Sequence, residues 1–496
     1  MPASPIPSIP VLSPGDALAL EAGLFGVDER KEWKAMVQAG KSVARAILQD
    51  FGEVGGFPPG GRVLVLAGKG NNTGDALVAA REILEGHPKA EADVLFSFGP
   101  RHLKAPAARA WRGLSESARG RVRSVDAPGA SYDLCICGII GFRYRPPLPP
   151  EAAAAIEASG RSAVRLRAAV DLPTGWGEAG AFRADFTYAT GSVKTPLIGC
   201  ANAGRPRYLD LGFFAGGAGG ASADRVILSS ILRPLSGLRK ASSDKRSQGH
   251  VFVVGGSGSY PGAVMMATLS ALKSGVGLVT AFVPKSLVPE FASRAPEAMW
   301  AGMPETPGGG LARAGLSQVM GAIGRASALA IGPGLGRDPE SLALALEIAG
   351  ASTVPLVIDA DALQPDIVRA GSVPRIVTPH AGEFSRISQG AGLRELAPAV
   401  HGVVVRKGPV TEISDGGAVY HSFFGGPVLS RGGSGDILAG LVGGLLAQTP
   451  SDPLTAACRG AVWHGMAADL LARSEGQTAV RTLQLLDFLG AALREA

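Results

Sequence analysis

Ser430-Arg431-Gly432-Gly433-Ser434-Gly435-Asp436 runs directly into Ile437-Leu438-Ala439-Gly440-Leu441-Val442. Small residues crowd the first stretch, so its backbone can approach a ligand closely. The apolar run behind it reads as a buried helix whose first amides point back at whatever the loop holds. Those amides and the helix dipole favour an anion there. Two readings stand side by side. In one the loop is a tight turn and Asp436 caps the helix; in the other it cradles a phosphate and Asp436 is a base beside it.

Composition narrows the setting. A chain of 496 residues is too long for one ordinary domain, and two or three are expected. Hydrophobic content is 46%, charged content 18%, and there are 70 glycines, about twice the usual share of roughly 7%. That profile suits compact α/β domains with many tight turns and excludes a largely disordered chain. A net charge of +6 permits attraction of small anions. Nucleic acid is not an expected partner, since basic residues do not cluster with the sparse aromatics. Cys135, Cys137, Cys200 and Cys458 form neither a zinc-spaced set nor a disulfide framework, which points to a reduced, cytoplasmic protein. Met1–Pro14 is proline-rich, lacks a basic residue and an apolar core, and reads as a loose tail, not a signal peptide. The most apolar stretch, from Gly262 to Val283, is interrupted by Lys273, so no membrane span is expected.

Taken in order, Ala17 to Leu48 carries helical periodicity. Arg62 to Ala67 reads as a buried strand, followed by the loop Gly68-Lys69-Gly70-Asn71-Asn72-Thr73-Gly74-Asp75 and a helix from Ala76 to Leu84. Strand, glycine-rich loop and helix open a Rossmann-like unit. Further strands are expected over Ala92–Phe98, Tyr132–Ile140 and Leu166–Leu172. Ala215–Ser222, almost all glycine and alanine, reads as a linker. Beyond it a second α/β pattern begins at Gly249 and continues through Ala328–Ile331, Leu356–Asp359 and Val403–Val405. Alternating strands and helices predict mostly parallel sheets. The expected domains are residues 1–225, Rossmann-like, and 226–496, a second α/β domain.

Five local patterns in the second half precede the opening loop: Gly255-Gly256-Ser257, Ile331-Gly332-Pro333-Gly334-Leu335-Gly336, Asp359-Ala360-Asp361-Ala362-Leu363, Thr378-Pro379-His380-Ala381-Gly382-Glu383 and Lys407-Gly408-Pro409-Val410-Thr411. Most follow a predicted strand, and in a parallel sheet those ends line up along one ligand-binding edge. In this order they resemble the ribokinase-like superfamily, and within it the ADP/ATP-dependent NAD(P)H-hydrate dehydratases, over roughly residues 240 to 495. The resemblance implies that Ala263, Gly334 and His380 line the pocket for the hydrated cofactor. It also implies that Lys407, Gly408, Pro409, Val410, Thr411 and Gly435 hold ADP or ATP with Mg2+, and that Asp436 faces the 6-hydroxyl of the hydrate. Here Asp244 precedes Lys245 where His is more usual, and Arg431 stands where the family has Thr; its guanidinium can contact a phosphate or face the surface.

The first half resembles the NAD(P)H-hydrate epimerase domain through three segments: Met36-Val37-Gln38-Ala39-Gly40, Asn71-Asn72-Thr73-Gly74-Asp75, and Val170-Asp171-Leu172-Pro173-Thr174-Gly175. The resemblance implies that Asn71 to Asp75, Gly141, Phe142, Arg143 and Asp171 meet the substrate, with Asp171 catalytic. It implies K+ at Asn72 and Thr174. The family's potassium-binding Asp, however, aligns with Cys137, and a neutral thiol is a poor ligand for a hard cation, so potassium binding is expected to be weakened. Phe142 and Arg143 also replace small residues. Asp133 faces the same side of its strand as Cys137 but about 13 Å away along it.

The implied substrates are hydrated NADH and NADPH with ADP or ATP, handled by a homo-oligomer. The alternatives are a ribokinase-like kinase for another alcohol, and a first half that is a non-catalytic binding scaffold.

Overall fold

The computed structural model describes residues 6–26, 28–215 and 222–496. Two compact units emerge: Ile9–Ser222 with Ala472–Gln477, and Ala223–Leu471 with Thr478–Ala496. Residues 472–477, expected in the second domain, thus group with the first, where Arg473 donates to Asp50 Oδ1 at 2.8 Å. Residues 216–221 of the expected linker lie outside the described residues. Among the described residues no helix is long and apolar enough to cross a membrane.

The first unit contains β1 (Ser8–Leu12), β2 (Arg62–Ala67), β3 (Glu91–Phe96), β4 (Val122–Val125), β5 (Ser131–Gly138), β6 (Ala163–Val170), β7 (Phe186–Thr190), β8 (Val193–Lys194) and β9 (Arg205–Leu209). Seven of these form a sheet in the order β4-β3-β2-β5-β6-β7-β9, parallel throughout. Val63, Val65, Val94, Leu134 and Ile136 are fully buried, as expected of strands covered by helices on both faces. The chain runs outward from β2 to β4 and then restarts at β5 on the other side of β2. A ligand crevice opens at such a switch point.

Three readings of the N-terminal region need correction. Ser8–Leu12 is a strand, not part of a loose tail. Ile9 and Val11 are buried, and β1 runs parallel to β8 with Leu12 opposite Lys194. The segment from Ala17 to Leu48 is two helices, Pro14–Phe25 and Glu29–Phe51. Gly26, at φ 56°, ends the first, and Asp28 caps the second by accepting from Arg30 N and Lys31 N. Finally, the helix after β2 begins at Asn71, so Asn71 to Asp75 form its first turn instead of a loop.

The second unit contains β10 (Asp224–Ile227), β11 (His250–Val254), β12 (Leu278–Pro284), β13 (Met299–Met303), β14 (Ala328–Ile331), β15 (Leu356–Ile358), β16 (Arg375–Val377), β17 (Gly402–Arg406), β18 (Thr411–Ser414) and β19 (Val419–Ser422). Their order is β13-β12-β11-β14-β15-β16-β17-β18-β19-β10. The strands are parallel from β13 to β17, and β18 is antiparallel to both its neighbours. Here too the chain goes outward, from β11 to β13, and then restarts at β14 beside β11.

The opening sequence is placed by a helix, Ser434–Gln448, buried along nearly its whole length. It lies against the helix Pro261–Lys273 so closely that a Cβ on Gly440 would come within 1.9 Å of Ala267 O and 2.2 Å of Ser270 Oγ. Glycine is what allows this approach. Gly440→Ala should therefore force the two helices apart and cost about 1–3 kcal/mol, the usual range for overpacking. Denaturant unfolding of the second unit's transition measures this.

Candidate active sites

In the second unit the charged groups gather where the strands end. Asp359 follows β15 and is almost wholly buried. Its Oδ1 accepts from Thr378 Oγ1 at 2.7 Å and from Lys407 Nζ at 2.9 Å, while Glu383 Oε2 lies 4.0 Å from the same ammonium. Burial disfavours the charged lysine, but Asp359 and then Glu383 overcome this and raise its pKa. Lys407 is held in place by the main chain, its amide donating to Pro379 O at 2.8 Å.

The loop from Ser430 to Asp436 closes against this pair. Gly433, at φ 92°, is the helix N-cap and makes no side-chain cap bond. A Cβ there would strike the sulfur and methyl of Met266 at 2.3–2.5 Å. A Cβ on Gly435 would stand 3.1 Å from Lys407 Nζ and 3.8 Å from Asp359 Oδ2. Asp436 is not the cap, which removes the first of the two readings of the loop. Burial, then the neighbouring Asp359, push its carboxyl up to about 6, against the opposing pull of Lys407. Of the first-turn amides, Ser434 N donates to Arg431 O and Ile437 N to Gly433 O, and those of Gly435 and Asp436 have no carbonyl four residues back within the helix. A lysine, free amides and a carboxyl poised near neutrality therefore meet at one edge, as proton removal beside a transferring anionic group requires.

The other expected residues fall as follows. A Cβ on Gly334 would lie 3.0 Å from that of Ala263, so these two adjoin. His380 caps the helix Ala381–Ser388, its Nδ1 accepting from Gly382 N and Glu383 N while Glu383 accepts from His380 N. Gly408, Pro409 and Val410 form the turn that enters β18 at Thr411. Arg431 donates to Thr478 O at 2.6 Å, so its guanidinium is tied to backbone.

In the first unit a cavity of about 630 Å3 is lined by Asn71, Asn72, Asp75, Gly141, Phe142, Arg143 and Asp171, and also by Glu21 and Lys194. Asp171 adopts φ 65°, a left-handed conformation uncommon outside glycine. Its Oδ2 accepts from Phe142 N at 3.0 Å, and its Oδ1 from Lys194 Nζ at 2.5 Å. Lys194 Nζ also donates to Ser192 O and stands 4.9 Å from the Phe142 ring. Burial, then Asp171 and Glu21, hold the Asp75 carboxyl well above the usual carboxylate range. Burial likewise raises Glu21. The Asp171–Lys194 ion pair thus lies beside two carboxyls whose pKa values burial raises.

Thr73 and Gly74 do not line this cavity. Thr73 Oγ1 accepts from Gly68 N and donates to Gly138 O, and a Cβ on Gly74 would meet the Met36 sulfur at 2.3 Å. Both are packing positions. Of the residues named for potassium, Thr174 is engaged within the protein. Cys137 is buried, with Sγ 3.4 Å from Thr174 Oγ1, and the threonine hydroxyl is already bonded to both the amide and the carbonyl of Ile140. Asp133 is occupied by Arg62 and Arg165.

Glu21, Lys194, Asp359 and Glu383 were not expected as site residues. Asp359 and Glu383 stood inside noted patterns. Lys194 carried no local signal, because a two-residue strand and a partner 23 positions away leave no periodicity.

Two largely parallel α/β units, each with buried charged groups gathered beyond its strand ends, define the class; comparison with known proteins defines the family. Residues 251–490 match the family model for NAD(P)H-hydrate dehydratase, and residues 33–195 that for YjeF-related protein N-terminus. The bifunctional NAD(P)H-hydrate repair enzyme Nnr of Moorella thermoacetica is 33% identical over 92% of each chain. That of Gloeobacter violaceus is 36% identical over 95% of this chain and 96% of its own. Among solved structures, the ADP/ATP-dependent NAD(P)H-hydrate dehydratase of Bacillus subtilis, co-crystallised with ATP/Mg2+, matches at 27% identity and a TM-score of 0.47, covering 54% of this chain and 97% of its own. The chain belongs to the bifunctional NAD(P)H-hydrate repair enzyme family.

Removing one partner of a buried ion pair strands the other charge, at a cost of about 3–5 kcal/mol. Lys194→Met is expected to destabilise the first unit by that amount, and the Asp171→Asn/Lys194→Met double variant to regain part of it. Denaturant titration of both variants provides the check; a single variant as stable as wild type contradicts the pairing.

Proposed function

We propose that the chain repairs hydrated NADH and NADPH: the second unit dehydrates the S epimer with ADP or ATP, and the first interconverts the R and S epimers. What carries the reading is Asp436, raised to about 6 in a glycine loop against Lys407. In the dehydration the 6-hydroxyl attacks the terminal phosphorus of the nucleotide and Asp436 takes the hydroxyl proton. The nucleotide departs one phosphate shorter. The C6–O bond then breaks with phosphate leaving, and loss of a C5 proton restores the C5–C6 double bond. The first-turn amides and Lys407 stabilise charge on the transferring group. Asp359, whose Oδ1 is engaged by Thr378 and Lys407, offers its second oxygen as a donor that would help to hold magnesium, which when bound neutralises phosphoryl charge.

For the epimerisation, C6 bears both the hydroxyl and the ring nitrogen, so water can leave with help from the nitrogen lone pair. Asp75, held protonated, protonates the departing hydroxyl. Water then adds to the opposite face of the planar iminium while Asp171 accepts its proton. The four cysteines are free, in keeping with a reducing cytoplasm.

Incubating the chain with hydrated NADH or NADPH and each nucleotide in turn should restore the absorbance of the reduced cofactor. Asp436→Asn is expected to lower kcat by about 10²–10⁴-fold, the usual reach of general base catalysis, with nucleotide still bound. Near-normal turnover would sink the assignment of the base.

The pH profile gives a second check. A base must be ionised to accept a proton, so activity should fall as pH drops through about 6. Lys407→Met removes the charge that pulls Asp436 down, and the acidic limb should move to higher pH. A limb that stays in place would show that another group sets it.

A further inference from the structure

We infer that the first unit's site takes no potassium, because the Cys137 thiol closes the one position where Thr174 could help to hold it. This builds on the epimerase reading for one of its two readouts only.

The hydroxyl of Thr174 has one hydrogen and two lone pairs. Its hydrogen goes to Ile140 O at 2.9 Å, and one lone pair accepts from Ile140 N at 3.1 Å. The remaining contact is Cys137 Sγ at 3.4 Å. With the hydroxyl hydrogen already given to Ile140, the thiol is the donor in that contact, and the second lone pair is used. The backbone amides of Ile139 and Thr174 also point at the sulfur. The positive ends of two N–H dipoles therefore converge where a cation would have to sit. A carboxylate in the sulfur's place would accept those amides and still present negative charge outward; a neutral thiol accepts them only weakly and presents no charge.

Charge balance around the cavity agrees. Lys194 Nζ, 2.5 Å from Asp171 Oδ1, already supplies a positive charge, and its position is fixed by the pairing of β8 with β1. The other carboxyls facing this ammonium, Asp75 and Glu21, are both driven toward the neutral form by burial. A further cation would need one of them ionised, or would remain an unpaired charge in a partly desolvated site.

The test uses the full chain, transferred into choline chloride and compared with KCl at equal ionic strength. Thermal unfolding and the rate of epimer interconversion are both followed. Neither is expected to respond specifically to potassium. Cys137→Asp is expected to gain a potassium-specific rise in Tm. A potassium-specific rise in the wild type that Thr174→Val abolishes would overturn the inference, as would a folded Cys137→Asp that stays indifferent to potassium. A wild-type response that survives Thr174→Val but is lost in Asn72→Ala would overturn it as well, and one that survives both originates elsewhere in the chain and leaves the inference standing. If Cys137→Asp does not fold, the comparison of wild type with Thr174→Val and Asn72→Ala decides alone. Absence of any epimer interconversion would refute the epimerase reading, while the Tm comparison would still judge the cation.

Discussion

A lysine ammonium buried against an aspartate at a strand end organises the chemistry of each unit. In the second unit it is Lys407 on Asp359; in the first it is Lys194 on Asp171. An unpaired charge at either place would be costly, and each pair removes that cost while leaving a concentrated local field. A second carboxyl then sits within reach of that field in surroundings that raise its pKa, Asp436 in one unit and Asp75 in the other. The same arrangement serves different ends. Burial and like charge bring Asp436 to about 6, whereas Asp75, wholly enclosed, is raised well above the usual carboxylate range.

Parallel topology brings these groups together. In each sheet the chain reverses its direction of growth once, at β2 and β5 or at β11 and β14, and the loops at those strand ends diverge to leave room for a ligand. Glycine lets the backbone complete the arrangement. A Cβ on Gly255 would come within 2.2 Å of Pro333 O, and one on Gly332 within 1.9 Å of Asp359 O. The high glycine content thus belongs partly to the site, where strand-end loops touch backbone to backbone, and partly to helix contacts such as Gly440 on Ala267 and Gly74 on Met36.

Much of this was legible in the chain. The strands of parallel sheets are short uninterrupted apolar runs, so β2, β11, β14 and β17 stood out. Motifs placed just after them were identifiable as one edge, and Asp436, Lys407, Asp171 and Asp75 were named through the family resemblance that those motifs carry. Less legible was the N-terminal segment. Its prolines suggested a tail, but Ile9 and Val11 find a buried slot and a parallel neighbour supplied by residues 193–194. Thr73 looked like part of a ligand loop, yet its hydroxyl ties β2 to β5. Arg431 looked able to meet phosphate, yet a carbonyl from the far end of the chain holds it.

By itself the sequence determined the two largely parallel α/β units and the glycine loop that ends in Asp436, because each is a local pattern of residue type and spacing, while the thiol at Cys137 in place of a carboxylate came from the resemblance. Tertiary structure alone decided the counter-charges. Lys194, Glu21 and Asp359 act through partners far away in sequence, and a pKa depends on what is buried beside a group, which no local pattern encodes. Only the packed fold puts Gly433 at the helix N-cap and sets Asp436 beside Asp359 and Lys407, where burial and like charge hold its proton near neutrality.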